Sequence, residues 1–340
     1  MRFGYWMPIF GGWLRNVADE GMPVEWPYVR DLAAESEALG FDLTLIAELN
    51  LNDIKGHRAP SLDCWTLAPA VAAVTSSLEL MLAVRPNYHS PSLAAKGLST
   101  LDLIAPGRIS LNVVSSWWKD EAAQYGAPFD VHDARYARTE EWLEVVSRLL
   151  TEDTVRHAGP LYQLDSTVLE PKPARPPAVY MGGESPKAKE VIAAHADAYV
   201  MHGDTPEVIA AKVADLGARR AATGRAPLEF GLSGFVICRD TEAEAQAELD
   251  RILDVHATAD AYASYQDFVA GSQLESQVSV EEYSVSNRGL RSGLIGTPEQ
   301  ITARLRAYEQ AGVGLMLLQF SPQREEMARF SRDVISRWHE

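Results

Sequence analysis

The sequence has little of what marks several protein classes. Only two cysteines, Cys64 and Cys238, occur in 340 residues, each within an apolar stretch. That excludes a disulfide framework and leaves no cysteine spacing for a metal site. Basic charge is also scarce: 31 Lys and Arg against 47 Asp and Glu give a formal net charge of -16. A nucleic-acid partner is excluded on that ground, because a phosphate backbone needs clustered positive charge. The acidic excess is spread along the chain and reads as solubility. No apolar run approaches the roughly 20 residues that span a bilayer. The start, Met1-Arg2-Phe3-Gly4-Tyr5-Trp6-Met7-Pro8, holds one basic residue and is broken by Pro8 and Gly11-Gly12, unlike a signal peptide. A cytoplasmic protein with no membrane partner is the expectation. A dinucleotide-binding glycine fingerprint is missing too, since Pro8-Ile9-Phe10-Gly11-Gly12-Trp13 stands after the first β-rich run.

What is present alternates between two periods. β-rich runs at 3–9, 41–47, 78–84, 108–114, 178–181, 198–202, 230–238 and 314–320 are separated by stretches of helical period, such as 28–39, 93–104, 136–150, 206–223 and 298–311. Thr205-Pro206-Glu207 and Thr297-Pro298-Glu299-Gln300 each put a hydroxyl at an N-cap and proline at the first helical position, and Gln300 adds a capping box. Gly40, Gly107 and Gly312 each follow a helix and precede a strand. With 46% hydrophobic residues, the chain can bury a large core. The pattern predicts an α/β fold, a (β/α)8 TIM barrel in one domain over 1–340 with insertion loops at its C-terminal face. The insertions are 115–133, the proline-rich 154–177, read as a short hairpin, and the polar 258–293.

Several places gather residue types suited to chemistry. Asn112 ends a strand run that passes into Ser115-Ser116-Trp117-Trp118. Its carboxamide would offer a ligand edge a donor and an acceptor, and an Asn capping its own loop would read the same way. Trp117 and Trp118 suit a pocket wall or plain packing. Asp133-Ala134-Arg135-Tyr136 opens a helix, where Arg135 and Tyr136 would reach a phosphate or lie solvated on the helix face. Tyr180-Met181-Gly182-Gly183-Glu184-Ser185-Pro186 runs a strand into two glycines, then Ser at an N-cap. Close backbone approach and the free N–H groups of a helix start make an anion site, and a plain tight turn is the alternative. Barrel phosphate sites usually follow the seventh and eighth strands, and this one follows the fifth.

Gly40-Phe41-Asp42, Arg85-Pro86 with Ser90-Pro91, Pro106-Gly107-Arg108 through Asn112-Val113-Val114-Ser115 and Trp117, Arg135-Tyr136, Gly182-Gly183 with Ser185, and Leu294-Ile295-Gly296-Thr297-Pro298 stand in a telling order and spacing. Together, over nearly the whole chain, they resemble the bacterial luciferase-like family of flavin-dependent monooxygenases. Within it they resemble the two-component, FMNH2-dependent branch of the dimethylsulfone, alkanesulfonate and pyrimidine-opening monooxygenases. The resemblance implies reduced FMN as cofactor, O2 as co-substrate, a transient NAD(P)H:FMN reductase as partner, and a homodimer or homotetramer. It implies that Asn112 and Glu121 hold the isoalloxazine edge, with Ala47 and Glu48 beside the ring. Arg135, Tyr136, Gly182, Gly183 and Ser185 would hold the phosphate. Reduced flavin is favoured by fixed donors at its electron-rich edge, and its oxygen chemistry needs a dry pocket. Trp13, Trp117 and Trp118 would supply walls and 258–293 a lid, with Gly289 and Gly293 as pivots and Arg291 as the cation that arrives on closure.

The chain departs from the sulfonate-oxidising pattern where an Arg and a His give way to Ser233 and Phe235. That loss of charge disfavours an anionic substrate and favours a small neutral organosulfur compound of the sulfone type. His202 replaces a Trp of that pattern at a strand end, as a substrate-facing group or as a hydrogen-bonding partner of its own loop. Tyr88 and His89, after the third strand, would face substrate or simply serve a surface turn. Other readings are an F420-dependent oxidoreductase that transfers hydride without O2, a monooxygenase that opens a cyclic amide or pyrimidine, and a non-catalytic flavin-binding barrel.

Overall fold

Short runs of Leu, Ile, Val and Met form strands buried on both faces, and the amphipathic stretches between them cover those strands as helices. The computed structural model describes residues 1–15, 17–253, 279, 282 and 284–338. In chain order, β1 (Arg2–Trp6), α1 (Trp26–Ala38), β2 (Leu43–Ile46), α2 (Cys64–Val74), β3 (Glu79–Val84), α3 (Pro91–Ile104) and β4 (Ile109–Val113) come first. After α4 (Lys119–Gln124) and α5 (His132–Thr151), β5 (Val155–Ala158) and β6 (Gln163–Thr167) form the antiparallel hairpin expected of the proline-rich stretch. The alternation resumes with β7 (Ala178–Met181), α6 (Pro186–His195), β8 (Ala198–Met201), α7 (Pro206–Ala222) and β9 (Glu229–Phe235). Then come β10 (Ile237–Cys238), α8 (Glu242–Leu253), a 3₁₀ segment Ser286–Ser292 and β11 (Ile295–Gly296). α9 (Pro298–Gln310), β12 (Leu315–Gln319) and α10 (Gln323–Phe330) follow.

Among the described residues, β1, β2, β3, β4, β7, β8, β9 and β12 close one barrel. Every neighbouring pair in it runs parallel. This is the expected (β/α)8 TIM barrel, with three local differences. The run 230–238 is two strands rather than one. The Val236 N–H bonds the Gln319 carbonyl at 3.0 Å, after which Ile237–Cys238 pairs with Ile295–Gly296 outside the barrel. The first run stops at Trp6, because Pro8 has no N–H to continue the ladder. Thr205 occupies the N-cap of α7 without a capping bond, whereas Thr297 and Gln300 form the full capping box of α9.

The barrel is plugged at one mouth and open at the other. At the N-terminal mouth, Arg2 bonds Glu79 at 2.5 Å and the Tyr180 hydroxyl at 3.3 Å. One layer in, Gly4 lets two leucines meet: a Cβ there would lie 2.7 Å from Leu43 Cγ and 3.1 Å from Leu317. At the C-terminal mouth the wall residues are small or polar, among them Ala47, Ala83, Asn112, Gly182 and Ser233, and space remains.

The 3₁₀ segment crosses this open mouth and is seated by close contact. The Tyr308 hydroxyl shares its one proton between the Ser292 carbonyl at 2.7 Å and the Asp204 carbonyl at 2.6 Å. Gln319 donates to the Ser286 hydroxyl at 2.7 Å. Gly203 is the tightest point: a Cβ there would collide with the Arg288 carbonyl oxygen and approach Ser233 O and Ser292 N to 3.2 Å. All three are backbone atoms, so no side chain can swing aside. Gly203→Ala is therefore expected to destabilise the protein by about 1–3 kcal/mol, the usual cost of overpacking. Denaturant unfolding measures this, and a variant as stable as the parent would show that the segment is not seated on Gly203.

Candidate active site

A cavity of about 340 Å³ lies over the C-terminal strand ends, within the roughly 300–1,000 Å³ usual for cofactor and substrate pockets. β1 contributes Trp6 and the following loop Phe10 and Trp13; Ala47 and Glu48 follow β2, and Arg85 follows β3. Asn112 and the segment from Val114 to Trp117 come from the end of β4. Arg135 and Tyr136 come from the first turn of α5, and Gly182 to Ser185 from the β7–α6 turn. Met201, His202, Ser233, Ser286 and Arg288 complete the far side.

One pole is built for an anion. Ser185 caps α6, its hydroxyl accepting from the Ala188 N–H at 3.2 Å, so the helix presents its N-terminus to the cavity. Gly183 holds φ +146, and a Cβ there would meet Ala188 at 2.7 Å and the Tyr136 hydroxyl at 3.0 Å. At Gly182 a Cβ would lie 3.1 Å from the Val200 carbonyl. This cradle would be filled by side chains at either position. Arg135 sits over the Phe129 ring at 4.6 Å, and its Nε is buried with no hydrogen-bond partner. Burial works against its positive charge. Burial also raises the Tyr136 phenol, moderated by Ser185 and Arg135. A desolvated guanidinium with an orphaned donor, beside a glycine cradle and a helix start, fits a phosphate.

The opposite wall holds a compensated charge cluster. Buried Glu184 pairs with Lys212 at 3.1 Å and with Arg288. Nδ1 of His202 accepts from Arg288 at 2.6 Å and lies 3.9 Å from the Glu184 carboxylate. Burial alone would raise the Glu184 carboxyl. The charges of Arg288 and Lys212 outweigh that, and hold it far below the usual carboxylate range. Desolvation, reinforced by Arg288 and Lys212 against the pull of Glu184, lowers His202. Its imidazole is therefore neutral, an acceptor toward Arg288.

Most of the residues expected from the sequence meet at this cavity: Asn112, His202, Trp13, Ala47, Glu48, Arg135, Tyr136, Gly182, Gly183, Ser185, Trp117 and Ser233 line it. No hydrogen bond of the Asn112 carboxamide to the described residues is found, so it does not cap its own loop. Trp13 is purely a wall, since its indole N–H is spent on Gln323 at 2.8 Å. Others are displaced from the lining. Glu121 is fully buried behind it, clamped by both guanidinium nitrogens of Arg85 and by the Asn50 N–H. Tyr88 lies under the Arg85 guanidinium at 4.4 Å, with its hydroxyl on Glu121 at 3.3 Å. Trp118 stacks behind Trp117 at 5.4 Å and meets His57 edge-on. Phe235 points into the packing beneath Gly289, where a Cβ would lie 2.9 Å from its own Cβ. Gly289 thus serves close packing rather than a pivot; Gly293, at φ +62, ends the segment. Residues 258–278 of the expected lid fall outside the described residues. Arg291 is turned to Glu282, at 2.8 Å. The cation that this segment brings to the cavity is Arg288 instead, which sequence reasoning missed together with its partner Glu184.

A closed parallel barrel with a glycine turn, a helix start and an apolar chamber over its strand ends has the layout of a barrel enzyme. The chain belongs to the luciferase-like monooxygenase family, whose model matches residues 1–314. It is 34% identical to an FMNH2-dependent dimethylsulfone monooxygenase of Pseudomonas putida, over 98% of this chain and 94% of that protein. The protein of the same name from Pseudomonas fluorescens (strain Pf0-1) is 32% identical, over 98% of this chain and 93% of its own length. In fold, the chain superposes on the long-chain alkane monooxygenase LadA with a TM-score of 0.83 at 21% identity, covering 100% of this chain and 91% of that one.

The Glu184 cluster has a testable pH signature. Its folded pKa lies below the ordinary 4.5, so its ionised form stabilises the fold above that value. The contribution fades as pH falls below about 4.5 toward the folded pKa. Glu184→Gln leaves Arg288 and Lys212 without their carboxylate and is expected to cost about 3–5 kcal/mol at neutral pH. The stability gap to the parent should narrow in acid, as read by urea unfolding at stepped pH. A gap that stays constant from neutral to acid pH would remove Glu184 as the counter-charge.

Proposed function

We propose that this protein is an FMNH2- and O2-dependent monooxygenase that oxidises a small neutral organosulfur compound of the sulfone type, with reduced flavin delivered by a separate NAD(P)H:FMN reductase in the cytoplasm. The carrying observation is the asymmetry of the cavity. At one pole Arg135 has an unpartnered buried Nε beside the Gly182-Gly183 cradle, and at the other Arg288 is held by Glu184. The likeness to FMNH2-dependent dimethylsulfone monooxygenases supports the same reading.

In this reading Arg135, Tyr136, Ser185 and the cradle bind the flavin phosphate. Bound reduced flavin supplies the electrons that activate O2. Asn112 fixes the ring edge through its carboxamide, with Ala47 and Glu48 beside it. Trp6, Phe10, Trp13 and Trp117 exclude water from the chamber. Arg288 and His202 orient the substrate oxygen by hydrogen bonding, and Ser233 lines its seat. Residues 1–340 act as one catalytic domain. A homodimer or homotetramer belongs to the same proposal, supported by the exposed Leu93, Leu103 and Ile104 on α3.

Reductase-coupled O2 consumption across sulfones, sulfonates, cyclic amides and aldehydes tests this, with F420 in its reduced form as the alternative donor. Sulfones should drive O2 uptake with FMNH2, and sulfonates should not. Turnover with reduced F420 and no O2 would hand the site to hydride transfer. Arg135→Ala is expected to weaken FMNH2 binding by roughly 10- to 100-fold, the equivalent of one charge-assisted hydrogen bond. Anaerobic titration reads that loss, and unchanged affinity would take Arg135 out of the phosphate site.

A further inference from the structure

Four carboxylates reach the cavity wall among the described residues: Glu48, Asp53, Glu184 and Glu282. Asp53 is paired with Arg15 at 3.0 Å, Glu184 with Lys212 and Arg288, and Glu282 with Arg291. Each of these three carboxylates takes a direct hydrogen bond from a Lys or Arg side chain. Glu48 is built differently. Its Oε2 accepts from the backbone N–H of Arg85 at 2.7 Å. The Arg85 guanidinium is committed to Glu121, leaving its Nε 3.6 Å from Glu48. The other oxygen of Glu48, Oε1, bonds Nε2 of His89.

His89 is not in the cavity lining. It lies on the outer side of Glu48, its ring 4.8 Å from that of Trp65 and its carbonyl held by the Trp142 indole at 3.0 Å. Its side chain keeps 24% of its surface in solvent, against 6% for Glu48. The imidazole is thus fixed in place with one nitrogen on a cavity carboxylate and part of the ring in water. The other titratable groups around Glu48 do not compete for this role. The Cys64 thiol is buried and pushed well up, and Tyr88 is raised to about 12 by burial. Glu121 faces Arg85.

We propose that Glu48 and His89 form a proton relay through the barrel wall, connecting the cavity to solvent after substrate and flavin have shut out bulk water. The inference rests on the monooxygenase reading. Such a reaction converts one atom of O2 to water and so must move protons inside a chamber lined with tryptophan. A proton taken from solvent at Nδ1 of His89 releases the one on Nε2 to Oε1 of Glu48, which presents it to the cavity. The reverse order carries a proton out. His89 is a positioning residue that acts through Glu48, not a group that touches substrate.

Two measurements test the relay. In the flavin-free protein, the ring-nitrogen resonances of His89 are followed by NMR on isotope-labelled histidine and assigned by their loss in His89→Gln. Glu48→Gln should shift the Nε2 resonance, because it removes the carboxylate bonded to that nitrogen; a resonance that does not move overturns the coupling. In turnover, His89→Gln should bind FMNH2 as tightly as the parent. Its kcat should drop by about tenfold, a fraction of the usual gain from general acid–base catalysis, with the pH profile shifted and activity restored by added imidazole. Superimposable pH profiles in a parent that turns over would overturn the relay alone. A parent that consumes no O2 with FMNH2 would overturn the monooxygenase reading and the relay with it.

Discussion

Buried charge at the rim of an apolar barrel has to be paired, and that constraint organises everything above the strands. An ion taken out of water costs several kcal/mol unless a partner and further hydrogen bonds compensate it. Here the pairs also act as staples between loops. Arg85 after β3 holds Glu121 of α4. Lys55 after β2 reaches back to Glu20 after β1 at 2.6 Å, and Glu20 in turn accepts from the N–H groups of Trp13 and Leu14. Glu184 gathers α7 and the 3₁₀ segment through Lys212 and Arg288. Remove the charges and these loops lose the contacts that define a chamber.

Arg288 shows how tightly that chamber is determined. It holds φ 52, the left-handed region that an L side chain enters at a cost. Its carbonyl lies against Gly203, where a side chain would not fit, and its guanidinium is fastened to Glu184 and His202. The strained backbone is sustained because charge pairing and close packing agree on one position. His202 contributes by remaining neutral, since a second cation beside Arg288 would repel it.

The barrel itself was legible because its signals are local. Gly40, Gly107 and Gly312 after their helices, the Thr297–Gln300 capping box and short apolar runs all speak for elements within a few residues. The glycine turn into α6 was legible for the same reason, as Gly182, Gly183 and Ser185 are consecutive enough to read as a turn into a helix. The charge cluster was not, because Glu184, His202, Lys212 and Arg288 come from separate elements and meet only across the mouth. Arg288 and Arg291 also stand one 3₁₀ turn apart, so spacing could not tell which faces inward; Glu282 decides it by capturing Arg291. Phe235 was misplaced for a related reason. Alternation along β9 puts Ser233 and Phe235 on one face, but the 3₁₀ segment covers the strand end and Gly289 closes over Phe235.

On the proposed function, the two poles of the cavity would let one pocket favour an anion and a neutral molecule at once. Size alone cannot do this, since a sulfonate and a sulfone differ little in volume. Charge compensation can. Among the described residues no carboxylate stands within ion-pair distance of Arg135, so an anion entering there gains a charge-assisted bond that the empty protein lacks. At Arg288 the same bond is already made, by Glu184, and an anion would have to displace a carboxylate or lie beside one. A neutral oxygen acceptor meets no such repulsion. Discrimination between the proposed cofactor and substrate would therefore follow from where the protein has spent its own carboxylates, rather than from the number of cations facing the cavity.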